Sequence, residues 1–406
     1  MLKNATRKSP RRFSFRAGFK QCGLGIDVGW YSTKVVWCRS QGRRFSEVAC
    51  VSLPTQAGST GTYNHGLTDS NDGLLGTEPR PAEAARRMPA NTSNSVADGL
   101  LSTNEQFDFS RWSSHQFKSL ASRIASAVGD RSVTRAEVRI AMSMVACDFR
   151  NVHVQPGEPI SLASIQQNIQ EALGDPRPRT IAILATEGPR PKIRALSLPQ
   201  ELSNGLAESL DHCSMTPLSI EGTPWGVAEA MLQLQDSTSA INIAIDWSYG
   251  DPTLVCLVDN QIDYIRKLTS GGVSALAAQA VQDLGLTPGE AVRWLNLCSQ
   301  KDSVTPERIG AQRQTQDWVK SNCLNMAKEV NSTIDFMRWR HPGKSLGDIC
   351  LLGGGAHLSI ATDHFQGMLA HPSRVWSRSV GNHQLSAEYA IAYAMAVKGM
   401  HHAPVQ

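Results

Sequence analysis

No stretch of the 406-residue chain approaches the ~20 apolar residues that span a bilayer, and its basic N-terminal segment lacks the apolar h-region of a secretory signal. A soluble protein is therefore expected. The nine cysteines contain no C-x-x-C pair and are odd in number, which argues against a disulfide framework and fits a reducing cytoplasm. The histidines lack metal-ligand spacing, so no structural metal site is expected. There is no basic body either. The net charge is +4, and residues 1–20 alone hold seven Lys or Arg and no acid. The remainder is close to neutral, which argues against nucleic-acid binding. Residues 1–20 read as a disordered, solvated arm, with weak attraction to an anionic inner leaflet or an acidic partner as the alternative.

What is present is a chain long enough for two or three domains and, at 41% hydrophobic residues, able to bury sizeable cores. A first unit, 21–147, opens on strands and contains a Gly-, Ser-, Thr-, Asn- and Pro-rich segment, 54–105. That segment is too long for an ordinary connection and too polar to fold alone, so it reads as a disordered insertion. A helix is expected over 109–128 and a strand over 137–145. Residues 148–212 then run strand, helix, strand, strand, helix, the order of a small α+β subdomain set between two halves of a larger sheet. A second large unit spans 213–399, with a 400–406 tail. It includes a capping box at Thr287, Pro288 and Glu290, a helix over 317–339, and a closing alanine-spotted helix whose small side chains permit close crossing with another helix.

Two stretches carry the chemistry. GLGIDVGWYSTKVVWC (23–38) reads as strand, polar turn, strand, and AIDWSYGDPTLVCL (244–257) aligns on it without gaps when Asp246 is placed on Asp27. A third strand follows each, so the pair reads as an ancient duplication. Tight polar turns form anion nests, and glycine lets the backbone approach phosphate oxygens. The two hairpins thus suggest phosphate-facing loops closing on one nucleotide from opposite sides. Ser32 would add a hydroxyl and Lys34 a charge, while Asp27 and Asp246 would hold the waters of a bound Mg2+. Gly353, Gly354 and Gly355 stand where a strand hands over to a helix, a backbone able to lie against adenine or ribose.

The order D-x-G-x-x-S-x-K, a later I-D hairpin and L-L-G-G-G-A-x-L resembles the actin-like ATPase superfamily, and most closely the PilM-type proteins of type IV pilus assembly and competence. LTSGGVSALAAQAVQDLGLTPGEAVRWL, MAKEVNSTIDFMRW and SAEYAIAYAMAV support the resemblance, which covers most of the chain outside the arm and the insertion. It implies an α/β fold of two duplicated lobes around a central ATP cleft, with the 148–212 subdomain beside the first lobe and the C-terminal helix returning to it. It also implies a cytoplasmic protein recruited to the inner membrane by the short N-terminal tail of a PilN-like partner near that subdomain; a homo-oligomer is left open. By carry-over, Asp27, Gly29, Ser32, Thr33 and Lys34 form the first phosphate loop and Asp246, Ser248 and Gly250 the second. Gly353 to Gly355 face adenosine, with Glu290 and Arg293 candidates for ribose and base.

The second loop departs from the family's D-x-G followed by small hydroxyl residues. Pro252 removes a backbone donor, and Asp251 would repel phosphate. Either this loop backs away from the γ-phosphate or Gly250 takes over the flexible role. In the first loop Trp30 and Tyr31 either crowd the site or pack outward. For orienting a hydrolytic water, Glu221 at the end of PLSIE is the candidate, with a helix-start carboxylate as the alternative. The sequence therefore points to an ATP- and Mg2+-binding scaffold that hydrolyses slowly or not at all. The competing readings are an active phosphotransferase or ATPase of the same fold, and a nucleotide-free interaction protein.

Overall fold

A computed structural model describes residues 20–41, 44–55, 112–129, 137–152, 161–185, 193–234, 240–299, 309–380 and 383–402. Nearly all of the expected basic arm and polar insertion lies outside these residues.

Strands β1 (Lys20–Val28), β2 (Ser32–Gln41) and β3 (Arg44–Pro54) form an antiparallel meander, and β4 (Glu137–Met142) joins β1 in parallel. Alternation along β1 sends Leu24, Ile26 and Val28 to one face. There they meet Val35, Trp37 and the buried Phe117, Leu120 and Ile124 of α1 (Ser114–Val128). The small sheet that follows has the order β5-β7-β6, from β5 (Asp148–Val152), β6 (Arg179–Ala185) and β7 (Ile193–Pro199). It carries α2 (Leu162–Leu173), capped by Ser161, and leads into α3 (Gln200–Asp211). This is the element order expected for the subdomain.

The outer parts of that unit merge with the first lobe. Leu202, Leu206 and Leu210 of α3 enter the first lobe's core, whereas the subdomain's own core, among the described residues, is Val152, Ile165, Ile169 and Ala195. Strand β8 (Pro217–Gly222) then pairs in parallel with β4, completing the sheet order β3-β2-β1-β4-β8. A boundary at 213 would assign this strand to the second lobe, but its hydrogen bonds place it in the first sheet. The subdomain also reaches the second lobe. Arg194 on β7 donates to the Ile262 carbonyl at 3.2 Å and pairs with Asp263 at 3.4 Å.

After α4 (Thr223–Leu232), the second lobe repeats the first. Strands β9 (Ala240–Asp246), β10 (Thr253–Val258) and β11 (Gln261–Lys267) form the meander, and β12 (Ser345–Leu352) and β13 (Ser373–Val375) extend it in parallel, giving β11-β10-β9-β12-β13. The register upholds the gapless alignment: Asp27 faces Lys34 across the first hairpin, and Asp246 faces Thr253 across the second. Helices α5 (Val273–Leu284), α6 (Pro288–Cys298), α7 (Ile309–Arg340) and α8 (Ser359–Met368) surround this sheet, and a short hairpin of β14 (Arg378–Val380) and β15 (His383–Leu385) follows.

The closing helix α9 (Ala390–His402) runs back across β1. A Cβ on Gly23 would lie 2.0 Å from the Ala396 carbonyl oxygen, and one on Gly25 1.8 Å from that of Ala392. The small residues expected to admit a neighbouring helix therefore admit a strand as well. The helix crossing is also there, at α4, where a Cβ on Gly226 would come within 2.5 Å of Ile391. Through α9 one apolar core runs from Val36 and Cys38 of the first lobe into the second.

Candidate functional site

The ends of β1 and β9 meet at a cleft of about 720 Å3 between the lobes. Of the residues singled out in the sequence, Asp27, Gly29, Ser32, Lys34, Asp246, Ser248, Arg293, Gly353 and Gly354 line it, and Thr33, Gly250, Gly355, Glu290 and Glu221 do not.

The first hairpin is braced from behind. The Thr55 hydroxyl donates to the Gly29 carbonyl at 2.7 Å and lies 3.1 Å from the Thr33 hydroxyl, and the Thr55 N–H donates to the Tyr31 carbonyl. Thr33 is fully buried in this brace, so it supports the loop and does not face the cleft. Lys34, which faces Asp27 across the hairpin and lines the same cleft, is the cation whose charge acts on both carboxylates. Burial pushes the Asp27 carboxyl up to about 6 against the pull of Lys34. Asp246 is pushed up to about 7, first by burial and then by the neighbouring Asp27. Two buried carboxylates beside one lysine in the cleft lining form a cluster short of positive charge, the condition a divalent cation relieves.

The second hairpin is arranged differently. Trp247 turns inward and is fully buried, and its indole N–H donates to the Gly271 carbonyl. Its carbonyl accepts from the Gly355 N–H at 2.7 Å, and a Cβ on Gly355 would lie 2.6 Å from the indole. Gly355 is thus explained by Trp247, which corrects its placement against adenosine. Gly353 has φ +84°, and a Cβ there would lie 2.6 Å from an Asp246 carboxylate oxygen, while Gly354 is open on the cleft. Gly250 supplies room: a Cβ would come within 2.6 Å of Trp30, and its φ is not in the left-handed region. Flexibility is therefore not its role.

Glu290 closes the capping box. It accepts from the Thr287 N–H at 2.8 Å and from its hydroxyl at 2.7 Å, which holds its carboxyl below the ordinary range. Its place at the helix start, outside the cleft, corrects the ribose assignment. Glu290→Ala is expected to cost about 1 kcal/mol of stability and to leave ligand affinity unchanged, checked by urea unfolding and titration in parallel. Glu221 is likewise engaged elsewhere, in ion pairs with Arg139 at 3.4 Å and Lys398 at 3.1 Å and accepting from the Ser219 hydroxyl at 2.8 Å. A carboxylate committed to two cations outside the cleft is not placed to orient a water there, which corrects its assignment to hydrolytic water.

Several cleft residues were not singled out beforehand. Arg293 is joined by Asn296 and Leu297 at helical spacing on α6, a stripe legible once the capping box had set the phase of that helix. His357, Ser386 and Tyr389 carry no such local signal. Tyr31 stacks on Tyr249 across the lobes, which settles that the first loop's aromatic residues face the cleft.

This architecture, two lobes with the same strand order closing on paired hairpin carboxylates, is the actin-like ATPase fold. Within that class, the chain is similar to the structure of a PilM-PilN type IV pilus biogenesis complex, with a TM-score of 0.60 at 15% identity, covering 93% of this chain and 98% of that one. The resemblance to PilM-type proteins thus holds at the level of the fold. Weaker likeness is found to the ethanolamine utilization protein EutJ from Carboxydothermus hydrogenoformans (TM-score 0.41, 10% identity, 93% and 89% covered). An archaeal actin homologue, Ta0583, scores similarly (TM-score 0.40, 14% identity, 93% and 99% covered). No protein-family model and no curated protein matches the sequence. No helix among the described residues is long and apolar enough to cross a membrane.

Proposed function

We propose that the protein is an actin-like scaffold of a type IV pilus or related secretion machine. In this reading it binds an adenine nucleotide with Mg2+ in the interlobe cleft and docks, on the cytoplasmic side, to the short tail of a PilN-like membrane protein. The observation that carries the nucleotide half is that buried Asp27 and Asp246, at the mouths of two duplicated hairpins, line one cleft together with Lys34. These residues fit the group: the carboxylates would hold a hydrated Mg2+, Gly29 and Ser32 would contact phosphate, and α6 with Gly354 would flank the nucleoside. Bound Mg2+ would supply charge neutralisation. The partner half is supported by the fold shared with the PilM-PilN structure and by the small subdomain that spans from the first lobe to Asp263 of the second.

Hydrolysis is not part of the proposal, because Glu221 is committed to Arg139 and Lys398. Saturating nucleotide and Mg2+ at about 100 times Kd are expected to add about 2.7 kcal/mol of stability. Lys34→Ala is expected to remove that gain, read against the variant's own ligand-free melt, which is itself lowered near neutral pH because two buried carboxylates lose their cation. Calorimetry that detects no binding to the wild-type chain would end the nucleotide reading. Titration with a synthetic peptide matching the short cytoplasmic tail of a PilN-like membrane protein tests the partner.

A second reading, an interaction protein that keeps the fold without nucleotide, is favoured by the aromatic contact between the loops. It predicts no nucleotide-dependent stabilisation at all.

A further inference from the structure

The two hairpins that face the phosphate end of the cleft touch each other through side chains. Tyr31 of the first stacks on Tyr249 of the second, with ring centroids 4.7 Å apart and planes 25° from parallel. Trp30 meets the same Tyr249 ring edge-on at 5.9 Å, and Gly250 is packed against Trp30 so closely that no Cβ fits between them. All three rings line the cleft. Behind them, the first donors of α5 are already used: the Ser274 N–H donates to the Tyr249 carbonyl at 2.7 Å and the Val273 N–H to that of Ser248 at 3.4 Å.

What remains of the second hairpin is poorly suited to an additional anion. Pro252 has no N–H to give, Asp251 is an acid, and Thr253 occupies the register position that Lys34 holds in the first hairpin. Among the described residues, Lys34 and Arg293 are the Lys and Arg lining the cleft, and Arg293 belongs to α6, outside both hairpins. One lysine therefore serves two buried carboxylates and any phosphate between them. Rings in stacking contact leave no gap for a tetrahedral anion, and each further phosphate brings negative charge that this pair of loops does not match.

We propose that this aromatic clasp sets the length of the phosphate chain the cleft accepts: a nucleoside diphosphate with Mg2+, its terminal phosphate at Gly29, Ser32 and Lys34, with the space for a γ-phosphate closed by Tyr31 and Tyr249. The proposal rests on the nucleotide reading above and sharpens it from adenine nucleotide to diphosphate. The clasp also joins the two hairpins across the cleft.

Calorimetric titration of the full chain with Mg·ADP and Mg·ATP tests it. Wild type is expected to bind Mg·ADP roughly tenfold or more tightly than Mg·ATP. The Tyr31→Ala/Tyr249→Ala variant is expected to bring the two within roughly threefold, and Tyr249→Phe, which keeps the ring, to retain the wild-type preference. Thermal melts establish that each variant is folded. Should the double variant melt below the assay temperature, Tyr31→Ala alone breaks the stack from one side and is expected to weaken the preference in the same direction. Wild type binding Mg·ATP as tightly as Mg·ADP, or a preference unmoved by removing the rings, overturns the clasp and leaves nucleotide binding standing. Nucleotide binding seen only after the rings are removed also overturns it, because the clasp would then exclude both ligands. Absence of binding in wild type and all variants overturns the nucleotide reading, and this proposal falls with it.

Discussion

Asp246→Asn is expected to make the ligand-free protein more stable at neutral pH while abolishing the Mg2+-dependent response to nucleotide that the proposed function requires. The wild-type carboxyl is raised from an ordinary 3.8 to about 7, by burial first and by Asp27 second, against the pull of Lys34. Below about pH 4 the folded and unfolded chains both hold this proton, and no penalty is felt. Between about pH 4 and 7 the unfolded chain releases protons that the folded chain retains, so stability falls as pH rises through that window. At about 1.4 kcal/mol per pH unit, the full penalty above pH 7 is roughly 4 kcal/mol, and a neutral amide recovers about 2–4 kcal/mol of it. Urea unfolding near pH 5 and near pH 8 would show wild type losing stability across the interval and the variant losing markedly less. A variant weaker than wild type near pH 8 would mean that the carboxylate earns its place through contacts that outweigh its burial. The cost in the free protein is what a bound divalent cation would relieve, so ligand-free stability and cation binding should move in opposite directions at this position.

Gly25→Ala is expected to cost about 3–5 kcal/mol or to prevent folding. The added Cβ would lie 1.8 Å from the Ala392 carbonyl oxygen and 2.5 Å from the Ala396 nitrogen, both backbone atoms of α9. The helix has nowhere to go, since Ile391 on its neighbouring surface is already tight against Gly226 of α4. Because α9 carries the core from one lobe into the other, loss of this contact should separate the lobes as well as loosen β1. Gly289→Ala, at a position with no atom near the added Cβ, is the control, with a change of less than about 1 kcal/mol. Denaturant unfolding of the three proteins checks both expectations, and equal stability of Gly25→Ala and wild type would show that α9 does not sit on β1 this closely.

Much of this was legible in the sequence wherever a local rule applied. The hairpin registers were readable because antiparallel neighbours joined by a short turn are set by alternation and turn length. The Thr287–Glu290 box was readable because a cap is satisfied within four residues. The same box shows where such reading overreached. A residue already satisfied by its own helix start was also assigned to a ligand, and the nearer partner prevailed. Glu221 failed for the converse reason: its partners Arg139 and Lys398 are 82 and 177 residues away in the chain, and nothing near PLSIE announces them.

The sequence by itself determined that two equivalent hairpins each end a strand with an aspartate, that glycines follow the later strand of the second lobe, and that a small α+β unit stands between the two large ones. These are consequences of periodicity, turn chemistry and capping, all short-range. Only the tertiary structure decided that β8 belongs to the first sheet, that Trp247 turns inward and takes Gly355 as its neighbour, and that Tyr31 and Tyr249 meet across the cleft. Each of those outcomes depends on which surfaces two distant segments present to each other, and packing between such segments is a property of the whole fold that no local pattern carries.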